Sequence, residues 1–288
     1  MALVSIESLK IAYGNKTVFD GLNWKISRGE NWAISGESGT GKSSLIKAIA
    51  GKVGFGGKIA IDYDENGLPH EALYVDNWYK FANLEGDRNF YYQQRYNYHA
   101  EQDTLTVLGE LEVYGRERGL DTAKALPILE RLGFAKCRQT QLIELSSGEH
   151  KKLQLVKALW LRPQIMLFDD PYTGLDTASR KVLNDILDEE CAAGATVVIA
   201  TSDTELPKSV NRFAKISDGK IVETDKIETA SLVETVHKEV PEFLKASPEI
   251  DAETFVDARN VCVRYGEKTV LDGVSWTVKA GEKWLLVG

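Results

Sequence analysis

The amino-acid sequence predicts an α/β fold with a parallel core sheet, an antiparallel β subdomain and a helical subdomain. Two continuous apolar runs, IMLFDD and TVVIAT, have the length and composition of parallel strands that are buried on both faces. The first 27 residues instead alternate apolar and polar side chains, as antiparallel strands do. The segment from Thr104 to Gly133 is predicted to be mainly helical.

The other elements of this α/β unit follow from local signals. The segments VSIESLKIAYG and TVFDGLNWKIS are predicted strands joined by a GNK turn, and NWAISG is a short buried strand that leads into a glycine-rich loop. The segment SSLIKAIAG is a predicted helix that ends at Gly51, because glycine is favoured just past a helix C-terminus. The segment AKISDGKIVE is a predicted hairpin that turns at Asp218 and Gly219.

The composition excludes several classes of protein. The net charge of −8 argues against a generally basic surface, so no nucleic-acid partner is expected. The three cysteines lack metal-ligand spacing and are interpreted as reduced thiols. No signal peptide is expected from the first residues, which lack a basic segment followed by a long apolar run, and no apolar run approaches the ~20 residues of a membrane helix. We therefore expect a cytoplasmic protein that reaches the inner face of a membrane only through a partner.

An internal repeat is the strongest sign of how the chain is organised. Residues 3–36 match residues 255–288 without gaps, and the identical residues include several glycines and tryptophans. Tyr13, Gly21, Trp24, Glu30, Trp32 and Gly36 recur as Tyr265, Gly273, Trp276, Glu282, Trp284 and Gly288. The repeat predicts a complete domain over residues 1–229, a charged linker over 230–254, and the first strands of a second, truncated copy over 255–288.

A phosphate-binding loop is predicted where the first copy continues beyond Gly36. The string GESGTGKS fits the pattern G-x-x-x-x-G-K-[ST] between a predicted strand and a predicted helix. Its backbone N–H groups would surround phosphate oxygens, Lys42 would pair with the β- and γ-phosphates, and the Ser43 hydroxyl would ligate Mg²⁺. The predicted ATP-binding residues of this loop are Gly36, Glu37, Ser38, Gly39, Thr40, Gly41, Lys42, Ser43 and Ser44.

Asp169 is the predicted acidic partner of this loop. It ends the apolar run IMLFD, and an aspartate at the carboxyl end of a buried strand can hold Mg²⁺ beside bound phosphates. The alternative is that Asp169 caps a helix within the turn DDPYTG.

The segment LSSGE, from Leu145 to Glu149, resembles the LSGGQ signature of ATP-binding cassette (ABC) ATPases. It lies about 20 residues before the acidic strand, and the resemblance covers roughly the first 229 residues. This resemblance implies an ABC-type nucleotide-binding domain of the P-loop NTPase class. It also implies that the signature contacts the γ-phosphate of ATP held by an opposite cassette, through Ser146, Ser147, Gly148 and Glu149. The alternative reading is a helix cap rich in serine.

The same resemblance assigns three further residues. Tyr13 stands where an aromatic ring stacks on adenine. Gln93, or its neighbour Gln94, falls where a glutamine reaches Mg²⁺ and couples to a transporter. Asp176, in the segment TGLD, corresponds to an aspartate that crosses between cassettes.

Two residues depart from the family pattern, and both are catalytic candidates. Asp170 replaces the usual glutamate and is one methylene shorter, and a misplacement of ~1 Å can cost on the order of a hundredfold in rate. Ser202 replaces the usual histidine and carries no positive charge. We expect this site to bind ATP better than it hydrolyses it, with a second cassette, in cis or in a homodimer, completing the active pair.

The resemblance predicts an ATPase with ATP and Mg²⁺ as cofactors and a separate membrane permease as partner. Tandem cassettes without membrane spans are similar to the ATP-binding proteins associated with molybdate transport. Two alternatives remain: a tandem ABC ATPase that acts on ribosomes, and an ATP-gated regulatory clamp with little hydrolysis.

Overall fold

The structure, a computed structural model, describes residues 1–77, 104–227, 253–265 and 268–285. The chain divides into two compact units, Met1–Glu234 and Thr235–Gly288. The point of division lies outside the described residues, as does almost all of the predicted linker 230–254. The predicted domain limits therefore remain predictions.

The first unit begins with three strands and then mixes helices with strands. In chain order its elements are β1 (Ala2–Tyr13), β2 (Lys16–Ser27), β3 (Trp32–Ser35), α1 (Lys42–Ile49), β4 (Gly56–Ile61), β5 (Ala72–Val75), α2 (Val107–Arg118), α3 (Leu126–Arg131), α4 (Ser147–Leu161), β6 (Ile165–Asp169), α5 (Thr177–Ala192), β7 (Thr196–Ala200), β8 (Arg212–Ser217) and β9 (Lys220–Thr224).

The core sheet has the strand order β5-β6-β7-β3-β8-β9 and is parallel except for β9, which pairs antiparallel with β8. Every residue of β6 and β7 is buried, which confirms the prediction that IMLFD and TVVIA form buried parallel strands, and the structure shows that the two strands are neighbours. Along β6, Met166 and Phe168 join one apolar cluster, whereas Ile165 and Leu167 join another. Both faces of the sheet are therefore covered, as a parallel sheet requires.

A separate antiparallel sheet has the order β2-β1-β4 and confirms the predicted antiparallel subdomain. The sequence did not reveal β4 or β5. Both are short, and β5 is a strand of four residues that lies along the edge of β6. Their strand conformation depends on pairing with distant segments, which local sequence patterns do not report.

The local signals for helices and turns are confirmed. The segment from Thr104 to Gly133 is mainly helical: α2 begins after Thr106, whose hydroxyl accepts from the Gly109 N–H at 3.1 Å. The hairpin β8-β9 turns at Asp218 and Gly219 with φ of 48° and 70°, as a two-residue hairpin of this type requires.

In the second unit, β10 (Thr254–Tyr265) and β11 (Lys268–Lys279) form an antiparallel hairpin. This hairpin repeats local contacts of the first unit. Trp276 and Trp284 pack edge to face with ring centroids 5.6 Å apart, as Trp24 and Trp32 do at 5.1 Å. Glu282 accepts from the indole N–H of Trp284, as Glu30 does from Trp32. The sequence repeat is thus also a repeat of structure.

The two copies of the hairpin differ in burial. Trp32 is 1% exposed within the core of the first unit, whereas the equivalent Trp284 is 55% exposed. Leu3 and Val4 are buried, whereas their counterparts Phe255 and Val256 are exposed.

This difference predicts unequal costs for equivalent substitutions. We expect Trp32→Ala to lower the free energy of unfolding by about 3–5 kcal/mol, because it opens a cavity between packed layers. The matched change Trp284→Ala should cost less than about 1 kcal/mol, because an exposed side chain contributes little. Urea unfolding followed by far-ultraviolet circular dichroism measures both, and equal costs would contradict the burial shown here.

Candidate nucleotide-binding site

The loop between β3 and α1 is built around three glycines with positive φ: Gly36 at 146°, Gly39 at 82° and Gly41 at 109°. Side chains are also excluded by packing. A Cβ on Gly36 would lie 2.7 Å from the backbone oxygen of Ile216, and one on Gly41 would collide with the ring of Phe19 at 2.9 Å. Gly36 and Gly41 are therefore required by close approach as well as by backbone conformation, whereas Gly39 is favoured by its backbone conformation alone.

Lys42, the first residue of α1, folds back over this loop. Its ammonium donates to the carbonyl oxygens of Gly36 at 2.7 Å and of Glu37 at 2.9 Å. The Thr40 hydroxyl also donates to the Glu37 carbonyl, at 2.9 Å. The ammonium thus spans the loop beside the N-terminus of α1, where free N–H groups and the helix dipole favour an anion. The loop therefore has the form of an anion-binding site.

Asp169 is held at the carboxyl end of β6 by two hydroxyl groups. Ser43 donates to Oδ1 at 2.9 Å, and Tyr74 donates to Oδ2 at 2.8 Å. Asp169 is a buried strand residue that bonds the phosphate loop, so it does not serve as a helix cap. The structure thus brings together two residues predicted to bind the metal.

The chemistry of this pair suits Mg²⁺, which prefers hard oxygen ligands and is usually bound through few protein groups plus phosphate. No three His, Cys, Asp or Glu side chains converge to hold an ion by themselves within the described parts of the chain. The prediction that Ser43 and Asp169 hold the ion jointly with the phosphates of ATP fits this chemistry and stays a prediction.

Sequence reasoning missed the contribution of β5 to this site. Because β5 pairs in parallel with β6, its carboxyl end places Tyr74 and Asp76 beside Asp169. The Tyr74 hydroxyl also lies 3.3 Å from Asp76 Oδ1. The available signal was an apolar run, ALYV, followed directly by an aspartate. The predicted metal ligand Gln93, like the alternative Gln94, lies outside the described residues.

The two catalytic candidates follow adjacent parallel strands, because Asp169 of β6 pairs with Ala200 of β7. Asp170 adopts a φ of 42°, and its N–H donates to the Ala200 carbonyl at 2.9 Å. Burial raises the pKa of the Asp170 carboxyl, and the charge of Asp169 raises it further. Ser202 is exposed. The structure thus places both residues at the same edge of the sheet as Asp169.

The signature segment forms the start of α4. The Ser146 hydroxyl accepts from the Glu149 N–H at 3.3 Å, and Glu149 Oε2 accepts from the Ser146 N–H at 2.8 Å. This capping box is the local role that serine-rich helix starts commonly have. Ser147 is the first helical residue. The contact between this segment and the γ-phosphate of ATP held by an opposite cassette stays a prediction.

Gly148 packs against the turn that contains TGLD. A Cβ on Gly148 would lie 2.5 Å from the backbone oxygen of Gly174, so glycine is required there. Asp176 caps α5 by accepting from the Ser179 N–H at 2.8 Å. The backbone and side-chain hydrogen bonds from Ser179 lower the pKa of Asp176 to about 2. Lys152 lies 3.4 Å from Asp176. The signature and this turn therefore form one packed surface.

Tyr13 ends β1 next to the phosphate loop. Its ring is half exposed, and its hydroxyl donates to the Ser44 hydroxyl at 3.2 Å. An exposed aromatic ring anchored to α1 has the placement that base stacking needs. The stacking role itself remains a prediction.

A glycine loop between a buried parallel strand and a helix, facing an aspartate at the carboxyl end of another strand of the same sheet, defines a P-loop nucleoside triphosphatase. The family profile described as ABC transporter matches residues 19–173, more than half of the chain. The chain therefore belongs to the ABC transporter family, whose members bind and hydrolyse ATP. This confirms the resemblance seen in the sequence.

Individual relatives agree with this family. The chain is 30% identical over 226 residues to the octopine permease ATP-binding protein P of Rhizobium radiobacter, a match covering 76% of this chain and 86% of that protein. It is 26% identical over 279 residues to the ABC transporter ATP-binding protein ModF of Escherichia coli, covering 91% of this chain. The match spans only 55% of ModF, about half of that relative's length.

A solved structure described as the ATP-binding subunit of an ABC transporter matches with a TM-score of 0.58 and 22% identity. The match covers 77% of this chain and 90% of that chain. This likeness confirms the predicted α/β fold. No helix in the described parts of the chain is long and apolar enough to cross a membrane.

The two hydroxyl donors to Asp169 generate a prediction. We expect Tyr74→Phe to lower the free energy of unfolding by about 1–3 kcal/mol, because a buried carboxylate loses a hydrogen-bond donor. Tyr114→Phe is the control, since the structure shows ring contacts but no hydrogen bond from that hydroxyl to described residues, and it should cost less than about 0.5 kcal/mol. Urea unfolding at pH 7 compares the two, and an unchanged Tyr74→Phe protein would contradict the arrangement.

Proposed function

We propose that this chain is the ATP-binding and ATP-hydrolysing subunit of an ABC transporter, which couples Mg-ATP to a separate membrane partner. The observation that carries the proposal is the 2.9 Å bond between the phosphate-loop Ser43 and Asp169. It joins the two positions from which a P-loop protein holds the metal of Mg-ATP.

In this mechanism the loop amides and Lys42 hold the β- and γ-phosphates, and Tyr13 stacks on adenine. Bound Mg²⁺ supplies positive charge against the phosphate oxygens. Ser43 and Asp169 orient it, with Gln93 as a further predicted ligand. Asp170 is the group available to accept a proton from the attacking water, and its raised pKa brings it closer to neutral pH.

Hydrolysis at this site is proposed to be slow. Asp170 is one methylene shorter than a glutamate, and the exposed Ser202 brings no charge to the γ-phosphate. These two residues also favour a second candidate function, an ATP-gated clamp that binds nucleotide with little turnover.

The signature at the start of α4 is proposed to serve ATP held by an opposite cassette, through Ser146, Ser147, Gly148 and Glu149. The repeated hairpin of the second unit supports a second cassette in cis. A homodimer of first units is the alternative arrangement.

The relatives guide the proposed partner and cargo. One is named as part of a permease, which supports a separate membrane permease as the partner at the inner face of the membrane. Molybdate or another small anion is the proposed cargo on the strength of the likeness to ModF.

Binding and turnover separate the two candidate functions. We expect the full chain to bind a fluorescent ATP analogue with Mg²⁺, and Lys42→Ala to lose this binding because the phosphates lose their ammonium partner.

We expect Asp170→Glu combined with Ser202→His to raise kcat at least tenfold with little change in KM, because both groups act on the transition state.

Steady-state phosphate release measures turnover, and the single substitutions serve as controls. Rapid hydrolysis by the unaltered chain would show that Asp170 is a competent base and would overturn the slow-site proposal. Binding that survives in Lys42→Ala would overturn the assignment of the phosphate loop.

A further inference from the structure

A buried lysine lies behind the metal site. Lys151 belongs to the second turn of α4, only 2% of its surface is exposed, and its ammonium donates to the backbone carbonyl of Asp76 at 2.7 Å. Lysine is almost never fully buried unless it is paired with acidic groups. The position of Lys151 therefore needs a reason beyond helix formation.

The contact with the Asp76 carbonyl places this ammonium at the carboxyl end of β5, where the pairing of Val75 with Phe168 brings Asp76 next to Asp169 of β6. Burial lowers the pKa of Lys151 to about 8, while the negative charges of Asp76, Asp169 and Asp170 act in the opposite direction. They belong to the ends of two neighbouring strands, β5 and β6. The next residue of the helix, Lys152, instead pairs with Asp176, so the two lysines serve different neighbours.

Lys42 is a second cation near these carboxylates, but its role differs from that of Lys151. Lys42 and Lys151 both oppose the rise in the pKa of Asp170. The ammonium of Lys42 lies on the phosphate loop and is assigned to the phosphates of ATP. Lys151 approaches from α4 and donates to the Asp76 carbonyl, a contact that involves no residue of the phosphate loop.

We propose that Lys151 is the internal counter-charge of the metal site, a positioning residue that balances the carboxylates when no divalent ion is bound and thereby weakens the affinity for the ion. The inference rests on the proposed metal role of Asp169. A protein that stabilises its own metal-free carboxylates takes up the ion mainly together with ATP, whose phosphates supply the missing ligands and negative charge.

The test uses Mn²⁺ as a probe for the divalent ion. Free Mn²⁺ is measured by electron paramagnetic resonance at pH 7, with the full chain in excess over a non-hydrolysable ATP analogue, so that little analogue remains in solution to bind the ion. Lys151→Met removes the charge and the donor, Lys151→Gln removes the charge but keeps an N–H donor, and Lys151→Arg keeps both. Lys181→Met, on the exposed face of α5, is the control.

We expect Lys151→Met and Lys151→Gln to lower the Mn²⁺ dissociation constant by roughly three- to tenfold, because a nearby positive charge has been removed. Lys151→Arg and Lys181→Met should stay within about twofold of the unaltered chain. We also expect Mn²⁺ with the analogue to raise the melting temperature of Lys151→Met by more than that of the unaltered chain.

A structural role predicts a different pattern. If Lys151 only ties α4 to β5, Lys151→Gln would behave like the unaltered chain and Lys151→Met would bind Mn²⁺ more weakly, and either result overturns the proposal.

Asp169→Asn is run in parallel to test the metal site itself. Loss of Mn²⁺ binding in Asp169→Asn, with no tightening in the Lys151 variants, would reject the counter-charge and leave the proposed function intact. Unchanged binding in Asp169→Asn would reject the metal assignment on which both depend.

Discussion

The carboxylate of Asp169 is the point on which the rest of this site depends. It is buried at the end of a strand, where an unpaired charge would be costly, and it is stabilised by hydroxyl donors from the phosphate loop and from β5. This arrangement is possible only because parallel strands end at the same edge of the sheet. The core sheet therefore does more than support the site, since its strand order decides which side chains surround the carboxylate.

The start of α4 illustrates how one segment can satisfy a local and a distant requirement. Its serine and glutamate form a capping box that completes the helix, while its glycine permits contact with the turn that carries Asp176. The second turn of the same helix also contributes two consecutive lysines, one bonded to the residue after β5 and one paired with Asp176 of that turn. The segment is thus fixed from both sides, which orients the helix N-terminus as a rigid element.

The repeated hairpin shows that sequence similarity fixes local contacts but not burial. Both copies place a tryptophan pair edge to face and bond the second indole to a glutamate. In the first copy these rings are enclosed by a core sheet and α1, whereas in the second the rings have greater exposure. The hairpin is a local unit, and the enclosure comes from segments distant in sequence.

The sequence by itself determined the parallel strands, the phosphate loop, the turn at Asp218 and the pairing of a loop serine with an acidic strand end, because each has a local pattern of fixed period or spacing. It also indicated the family, because LSSGE lies at a characteristic distance from the acidic strand. Only the tertiary structure revealed β5, the Tyr74 hydroxyl on Asp169 and the buried Lys151, because these depend on strand pairing and helix packing between residues about 75 to 100 positions apart. Contacts of that kind leave no periodic signal in a single sequence, since the residue types involved are common on ordinary strands and helices.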